Sequence, residues 1–296
     1  MDTAGSAVTG SARAVARTDR VSDDVGQGRV VTVFSATTGV GTTTVSTNLG
    51  VALADDGSRV CLVDLDAAFH GIADALALDS PLGLANAADR PDLGVDGVRA
   101  LLTSHPSGLS VLLAPAAGDD AQDLPPAVLQ HVLSVLRGMF DYVVIDTPST
   151  FDELVLAAFE ASDLIVTVAT FDVEPLKDLG LTLETLGLLG APGGVQPSSD
   201  GWRILINRVE FSAGLAAAEA ARNLPVPVSA ELPLTDELEG APPPGSPLAL
   251  RSPHDPFSAA IQSFVDEQVR PALATHPAGA RPPGRTLSAL RRLWRA

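Results

Sequence analysis

Residues 30–55 read VVTVFSATTGVGTTTVSTNLGVALAD, and this stretch decides the fold. The run VVTVF at 30–34 is short, apolar and β-branched, as in a strand buried on both faces. It passes through Ser35 and Ala36 into Thr37-Thr38-Gly39-Val40-Gly41-Thr42-Thr43-Thr44, and a helical pattern follows over 43–55. Strand, glycine-containing loop and helix N-terminus together form a cradle for phosphate. Backbone N–H groups point inward, the helix dipole favours an anion, and glycine permits close approach. The same residues also suit a tight β–α turn with threonine caps, because a glycine pair alone is a weak signal.

Outward from this unit the pattern repeats. Strand-like runs stand at 60–65 (VCLVDL), 109–114 (LSVLLA), 142–146 (YVVID), 164–170 (LIVTVAT) and 203–207 (RILIN). Helical patterns lie between or after them at 125–138, 151–161, 174–190, 212–222 and 257–274. Short apolar runs alternating with helices predict an α/β fold, a doubly wound and mostly parallel sheet with helices on both faces. The crossovers should be right-handed. Residues 240–256 (GAPPPGSPLALRSPHDP) hold too much proline for regular structure, and 275–285 read as an extended Pro/Gly-rich linker. The expected organisation is a disordered arm at 1–29, one domain at 30–274, the linker, and a basic helix at 286–296.

Composition narrows the function. Hydrophobic residues make up 46% against 19% charged, which supports a sizeable core and excludes global disorder. No uninterrupted apolar run reaches membrane-spanning length, and the N-terminus lacks the apolar segment of a signal peptide. With one cysteine, Cys61, no internal disulfide is available, so cytoplasmic residence is the simplest expectation. Residues 31–280 hold 10 Lys and Arg against 32 Asp and Glu, whereas 281–296 hold five arginines and no acid. A body this acidic repels nucleic-acid phosphates, so DNA is an unfavourable partner.

Asp64 and Asp66 stand two apart at a strand end, so alternation sends both carboxylates the same way. That direction is the sheet's carboxyl edge, where open α/β sheets bind ligands. Asp146 closes the run DYVVID at the same edge.

These motifs, taken in order over roughly 30–274, resemble the MinD/ParA family of P-loop ATPases, whose deviant Walker A loop reads KGGxGKTT. Aligned on Gly39-Val40-Gly41, the family's signature lysine falls on Thr37, a family glycine on Thr38 and the P-loop lysine on Thr42. The hydroxyl that binds Mg²⁺ is retained as Thr43. The resemblance implies ATP and Mg²⁺ as ligands, with the loop residues Gly39, Val40, Gly41, Thr42, Thr43 and Thr44 against the phosphates. It implies Thr43, Asp64 and Asp146 around the metal and Asp66 orienting the attacking water. Asn207 takes the place of an asparagine that reads adenine, and Pro233 that of a proline lining the base. In the family the signature lysine reaches across a dimer, so a homodimer is implied as well. For Asn207 and Pro233 a plain strand-end turn is the alternative.

Both lysines are absent, and the chain's only lysine is Lys177. Phosphoryl transfer depends almost wholly on positioning and charge stabilisation, so losing such a cation costs on the order of 10²–10³ in rate or more. The expectation is a nucleotide-binding positioning or scaffold protein with weak or absent hydrolysis. Two alternatives stay open. One is an active ATPase for chromosome partitioning, septum-site or pilus-machinery localisation, with arginines supplied by a partner. The other is an interaction platform that binds no nucleotide. Within the family, FDYVVIDTPSTFDE at 140–153, NRV at 207–209 and the segment 230–261 most resemble the CpaE/TadZ-like branch of pilus localisation factors.

The five histidines lack ligand spacing, and no G-x-S-x-G anchors a hydrolase triad. The loop also lacks the G-x-G-x-x-G of a dinucleotide oxidoreductase. At 286–296 the sequence TLSALRRLWRA places Leu287, Leu290, Leu293 and Trp294 at helical spacing, with Arg291, Arg292 and Arg295 on the other side. That composition suits an anchor on an anionic membrane surface, which would put the protein at the inner face of the cell membrane. A partner groove or the protein's own acidic body is the alternative seat.

Overall fold

The computed structural model of the protein describes residues 28–69, 71–88, 90, 92–114, 124–189, 201–209, 215–239 and 243–275. Residues 1–27 of the expected arm, 276–285 of the expected linker and the basic segment at 286–296 lie outside the described residues, whereas Arg29 already belongs to a strand and Thr275 to a helix. The strands are β1 (Arg29–Phe34), β2 (Val60–Asp64), β3 (Thr103–Ser104), β4 (Ser110–Leu112), β5 (Tyr142–Asp146), β6 (Leu164–Thr170), β7 (Trp202–Val209) and β8 (Val228–Pro233). They form one sheet in the order β3-β4-β2-β5-β1-β6-β7-β8. All pairings are parallel except that of β3 with β4.

Helices cover both faces, as strands apolar on both sides require. On one face Val31, Val33, Leu62, Val144 and Val166 pack against α1 (Thr42–Ala54) and α10 (Pro256–Phe264), chiefly through Val45, Leu49, Leu53, Phe257 and Ile261. On the other, Val30, Cys61, Val63, Val143 and Ile145 meet α4 (Pro126–Met139). Further along that face Phe34, Ile165, Ile204 and Ile206 meet α5 (Glu153–Ala161) and α6 (Val173–Leu189). Each fully buried Val, Leu, Ile or Phe contributes roughly 1.5–3 kcal/mol. Alternate residues of β1 thus fill opposite cores, which fixes its register. Cys61 is wholly buried in β2, where burial pushes its thiol far up.

The remaining helices are short, except for the eight-residue α7 (Leu215–Arg222). They are α2 (Gly71–Leu76), α3 (Val95–Arg99), α8 (Asp236–Glu239), α9 (Leu248–Arg251) and α11 (Arg270–Thr275). The helix expected over 257–274 is interrupted by a π-turn at Val265–Val269, which joins α10 to α11. The strand expected at 109–114 shrinks to Ser110–Leu112, the three residues that pair with β2, and only two of them also pair with β3. Sequence periodicity also passes over β8, an edge strand whose residues are mostly half-buried. The proline-rich stretch 240–256 needs correcting. It contains α9, which Pro247 caps and which begins immediately after it. It also leads into α10, where Pro256 stands at the first helical position and Asp255 Oδ1 accepts from Phe257 N at 2.9 Å. Proline ends extended chain and starts a helix without losing a needed donor.

Candidate functional site

β2, β5 and β1 lie side by side and parallel, so the chain leaves all three at the same edge of the sheet. The loop 35–41 follows β1, Asp64 ends β2 and Asp146 ends β5, and the two carboxylates are register neighbours. The topology therefore brings together residues that are 82 positions apart.

The loop is built from its own backbone. Ser35 Oγ donates to Thr37 O at 2.8 Å, and Thr37 N donates back to Ser35 Oγ at 3.1 Å. Gly39 and Gly41 take φ of 78° and 95°, in the left-handed region where glycine is unstrained. Helix α1 starts at Gly41 without a side-chain cap, which leaves the donors of its first turn to a ligand or to water. A Cβ on Gly41 would stand 2.4 Å from Asn207 Nδ2, the atom that donates to Val40 O at 2.8 Å. Gly41→Ala is therefore expected to lower stability by about 2 kcal/mol, or about 4–8 °C in melting temperature, and to disturb the loop. An unchanged melting curve would show that the turn tolerates a side chain.

Around Thr43 the structure forms a polar cluster beneath the loop. Thr43 Oγ1 donates to Asp146 Oδ2 at 2.7 Å and Ser46 Oγ to Asp146 Oδ1 at 2.9 Å. Asp64 Oδ1 accepts from Asp66 N at 2.9 Å, while its buried Oδ2 has no partner among the described residues. Both carboxylates are buried. Burial first, and then the charge of Asp146, push Asp64 up to about 8. Burial pushes Asp146 up to about 7 against the stabilising hydroxyls of Thr43 and Ser46. Such a pair would be ionised readily only beside a cation. Asp66 is half-buried just beyond the strand and close enough to raise both. Gly71 closes the cluster, since a Cβ there would meet Thr43 Oγ1 at 2.7 Å.

Beside the loop lies a cavity of about 1240 Å³. Thr37, Thr38, Gly39, Val40, Thr44 and Asn207 form its polar wall, and Leu234, Leu238, Pro243, Pro244, Pro247 and Leu248 an apolar one. Thr43, Asp64 and Asp146 are not among its walls, so the loop and the first turns of α1 stand between the cavity and the carboxylate cluster. Pro233 ends β8 opposite Val209, and the cavity at that point is lined by its neighbour Leu234. Thr37 and Thr42 are both half-buried. Thr37 Oγ1 donates to Asp178 Oδ2 of α6 at 3.3 Å, and Thr42 is the first residue of α1.

Several residues of the site escape sequence reading. Ser46 stands three after Thr43 on the same face of α1, a spacing that would have found it. Asn48 and His105 give no such signal. Asn48 Oδ1 accepts from Ala249 N at 2.7 Å, and His105 Nε2 bonds Gly245 O at 3.0 Å, so both fasten the proline-rich wall. Among the described residues no group of three or more His, Cys, Asp or Glu could hold a metal. No described helix is long and apolar enough to cross a membrane.

Known proteins resemble this chain in sequence and in fold. The septum site-determining protein MinD of Bacillus subtilis is 30% identical over 190 residues, 62% of this chain and 65% of its own length. The chain thus spans slightly under two thirds of that relative. An ATP-binding protein of Methanocaldococcus jannaschii is 26% identical across 79% of this chain and 85% of its own. Among solved structures, a ParA family ATPase from Chlorobium tepidum superposes with a TM-score of 0.70 at 19% identity, covering 81% of this chain and 99% of that one. MinD from Pyrococcus horikoshii, complexed with Mg-ADP, gives 0.65 at 19% identity over 84% of this chain and 100% of its own. At such identities the superpositions show the fold alone. Residues 31–248 match the CobQ/CobB/MinD/ParA nucleotide binding domain, most of the chain, so the chain belongs to that family.

Proposed function

We propose that the protein binds MgATP, hydrolyses it slowly or not at all, and acts as a positioning or scaffold protein, as a homodimer. One observation carries this reading: the loop keeps its left-handed glycines and its Thr43–Asp146 contact while both lysine positions hold threonine. Backbone donors suffice to hold phosphate oxygens, whereas transition-state charge calls for cations. The positioning role comes from the names of relatives such as septum site-determining MinD.

The buried, unpartnered Asp64 Oδ2 and the raised carboxyls fit a divalent cation. Thr43, Asp64 and Asp146 would hold Mg²⁺, with water and phosphate oxygens completing its shell. The ion would supply positive charge against the phosphates. In this reading Asp66 orients the attacking water, and Asn207, whose buried Oδ1 lacks a partner among the described residues, lies with Pro233 towards the adenine. Isothermal titration on the purified chain tests the proposal. Heat release with MgATP is expected. No heat and no thermal shift at millimolar MgATP would favour the nucleotide-independent platform.

The reading extends to residues 286–296 as a membrane-surface anchor. Five arginines in 281–296 oppose an acidic body, and each cation near an anionic surface contributes roughly 1 kcal/mol. One short helix anchors weakly, so two tails in a dimer would act together. Co-sedimentation with anionic vesicles should fall with salt and with truncation after Gly284. Equal pelleting of intact and truncated protein would move the tail to a partner-docking role.

A further inference from the structure

We propose that Arg208 is the in-chain cation that pairs with a phosphate of the bound nucleotide, in place of the lysines missing from the loop. The proposal rests on the nucleotide-binding reading and adds a residue to it.

Three observations converge on Arg208. The first is backbone geometry. Between Ile206 and Val209 the pairing of β7 with β8 slips: Ile206 faces Glu231 and Val209 faces Pro233, leaving one extra residue on β7. Such a bulge re-aims side chains at a strand end. At this bulge Arg208 takes a φ of 55°, a left-handed conformation that an arginine adopts only where surrounding structure imposes it.

The second is direction. In a regular strand consecutive residues point to opposite faces. Here Asn207 and Arg208 both line the same cavity. Asn207 is fixed under the loop by its bond to Val40 O at 2.8 Å, so Arg208 starts one Cα step, about 3.8 Å, from a residue touching the phosphate loop.

The third is charge. Among the described residues two cations line the cavity, Arg208 and Arg251. Arg251 is engaged with Glu237, through an ion pair to its carboxylate and a bond from Nη2 to its backbone O at 3.1 Å. Arg208 is exposed and makes no ion pair or hydrogen bond among the described residues. Asp74 and Asp172 also line the cavity, yet neither is bonded to it. The loop at 35–44 contains no cation of its own. An exposed guanidinium held at a strained bulge and facing a cavity beside an uncharged phosphate loop has a phosphate as its chemical complement, because its planar fork matches phosphate oxygens.

The test is titration of the full chain with MgATP, comparing wild type with Arg208→Gln, Arg208→Lys and Arg208→Gly. The glycine variant accepts the left-handed φ, so it separates lost charge from backbone disturbance. Arg208→Gln and Arg208→Gly should weaken MgATP about 10- to 100-fold, as loss of a charged hydrogen bond does, while Arg208→Lys stays within about threefold. Added salt should weaken the wild type more steeply than the glutamine variant. Equal affinity of the glutamine variant and wild type would overturn the proposal. An equal loss for lysine and glutamine would overturn it in favour of a planar guanidinium stacking on the base. No MgATP binding by wild type would instead remove the nucleotide reading on which the proposal stands.

Discussion

Thr42→Lys is expected to raise ATP turnover by about 10²–10³, the largest change any single substitution should make in this protein. Thr42 is the first residue of α1 and only half-buried, so a longer side chain can leave towards the loop without displacing the core. A lysine there would place a cation at the family's P-loop position, next to Thr43 and its bond to Asp146. The other parts of the proposed machinery, Asp64, Asp66 and Asp146, are already assembled. Phosphate release under single-turnover and steady-state conditions measures the effect. Asp66→Ala in the Thr42→Lys background should remove the gain. If the unmodified protein already turns over as fast as its Thr42→Lys form, and Asp66→Ala abolishes that rate, slow hydrolysis is the wrong reading.

The second large effect concerns pH. Asp64 and Asp146 are raised in the folded protein to about 8 and about 7 from the ordinary 3.8, chiefly by burial. The unfolded chain gives up these protons near pH 4, whereas the folded metal-free protein keeps them. Between about pH 4 and pH 8 the folded state thus holds more protons, and its stability falls as pH rises. Because the two groups are neighbours, they titrate as a pair. The metal-free protein is expected to melt several degrees lower at pH 8 than at pH 6, where about 1 kcal/mol corresponds to about 2–4 °C. Mg²⁺ favours the ionised pair and should recover stability at pH 8 more than at pH 6. Asp64→Asn cannot ionise at that position, so it should raise the metal-free melting temperature at pH 8 and erase most of the Mg²⁺ response. Calorimetry of both proteins across this range, with and without Mg²⁺, decides the matter. The same pH dependence in the Asn variant and wild type would show that this pair is not the source.

The sequence by itself determined the architecture and named the residues of the candidate site. Runs such as VVTVF and LIVTVAT are apolar on both sides, and their alternation with helical patterns fits parallel strands between two helical layers. The glycine pair and its threonines were legible because the geometry of such a loop is local: glycine alone takes φ of 78° and 95° without strain. Asp64 and Asp146 were legible as polar endings to apolar strands. What the tertiary structure decided was adjacency across long separations. Only the order β2-β5-β1 makes Asp64 and Asp146 neighbours, and burial there, with the charge of neighbouring carboxylates, raises their carboxyls. The proline-rich wall is invisible to periodicity because Asn48, His105 and Ala75 hold it from other elements, Ala75 O accepting from Gly245 N at 3.0 Å. The bulge at Arg208 belongs to the same class, since an extra residue in β7 exists only relative to β8. Local propensity specifies which residues form a strand or a turn. Which of them meet depends on pairing energies summed over the whole sheet, and those are set when the chain closes on itself.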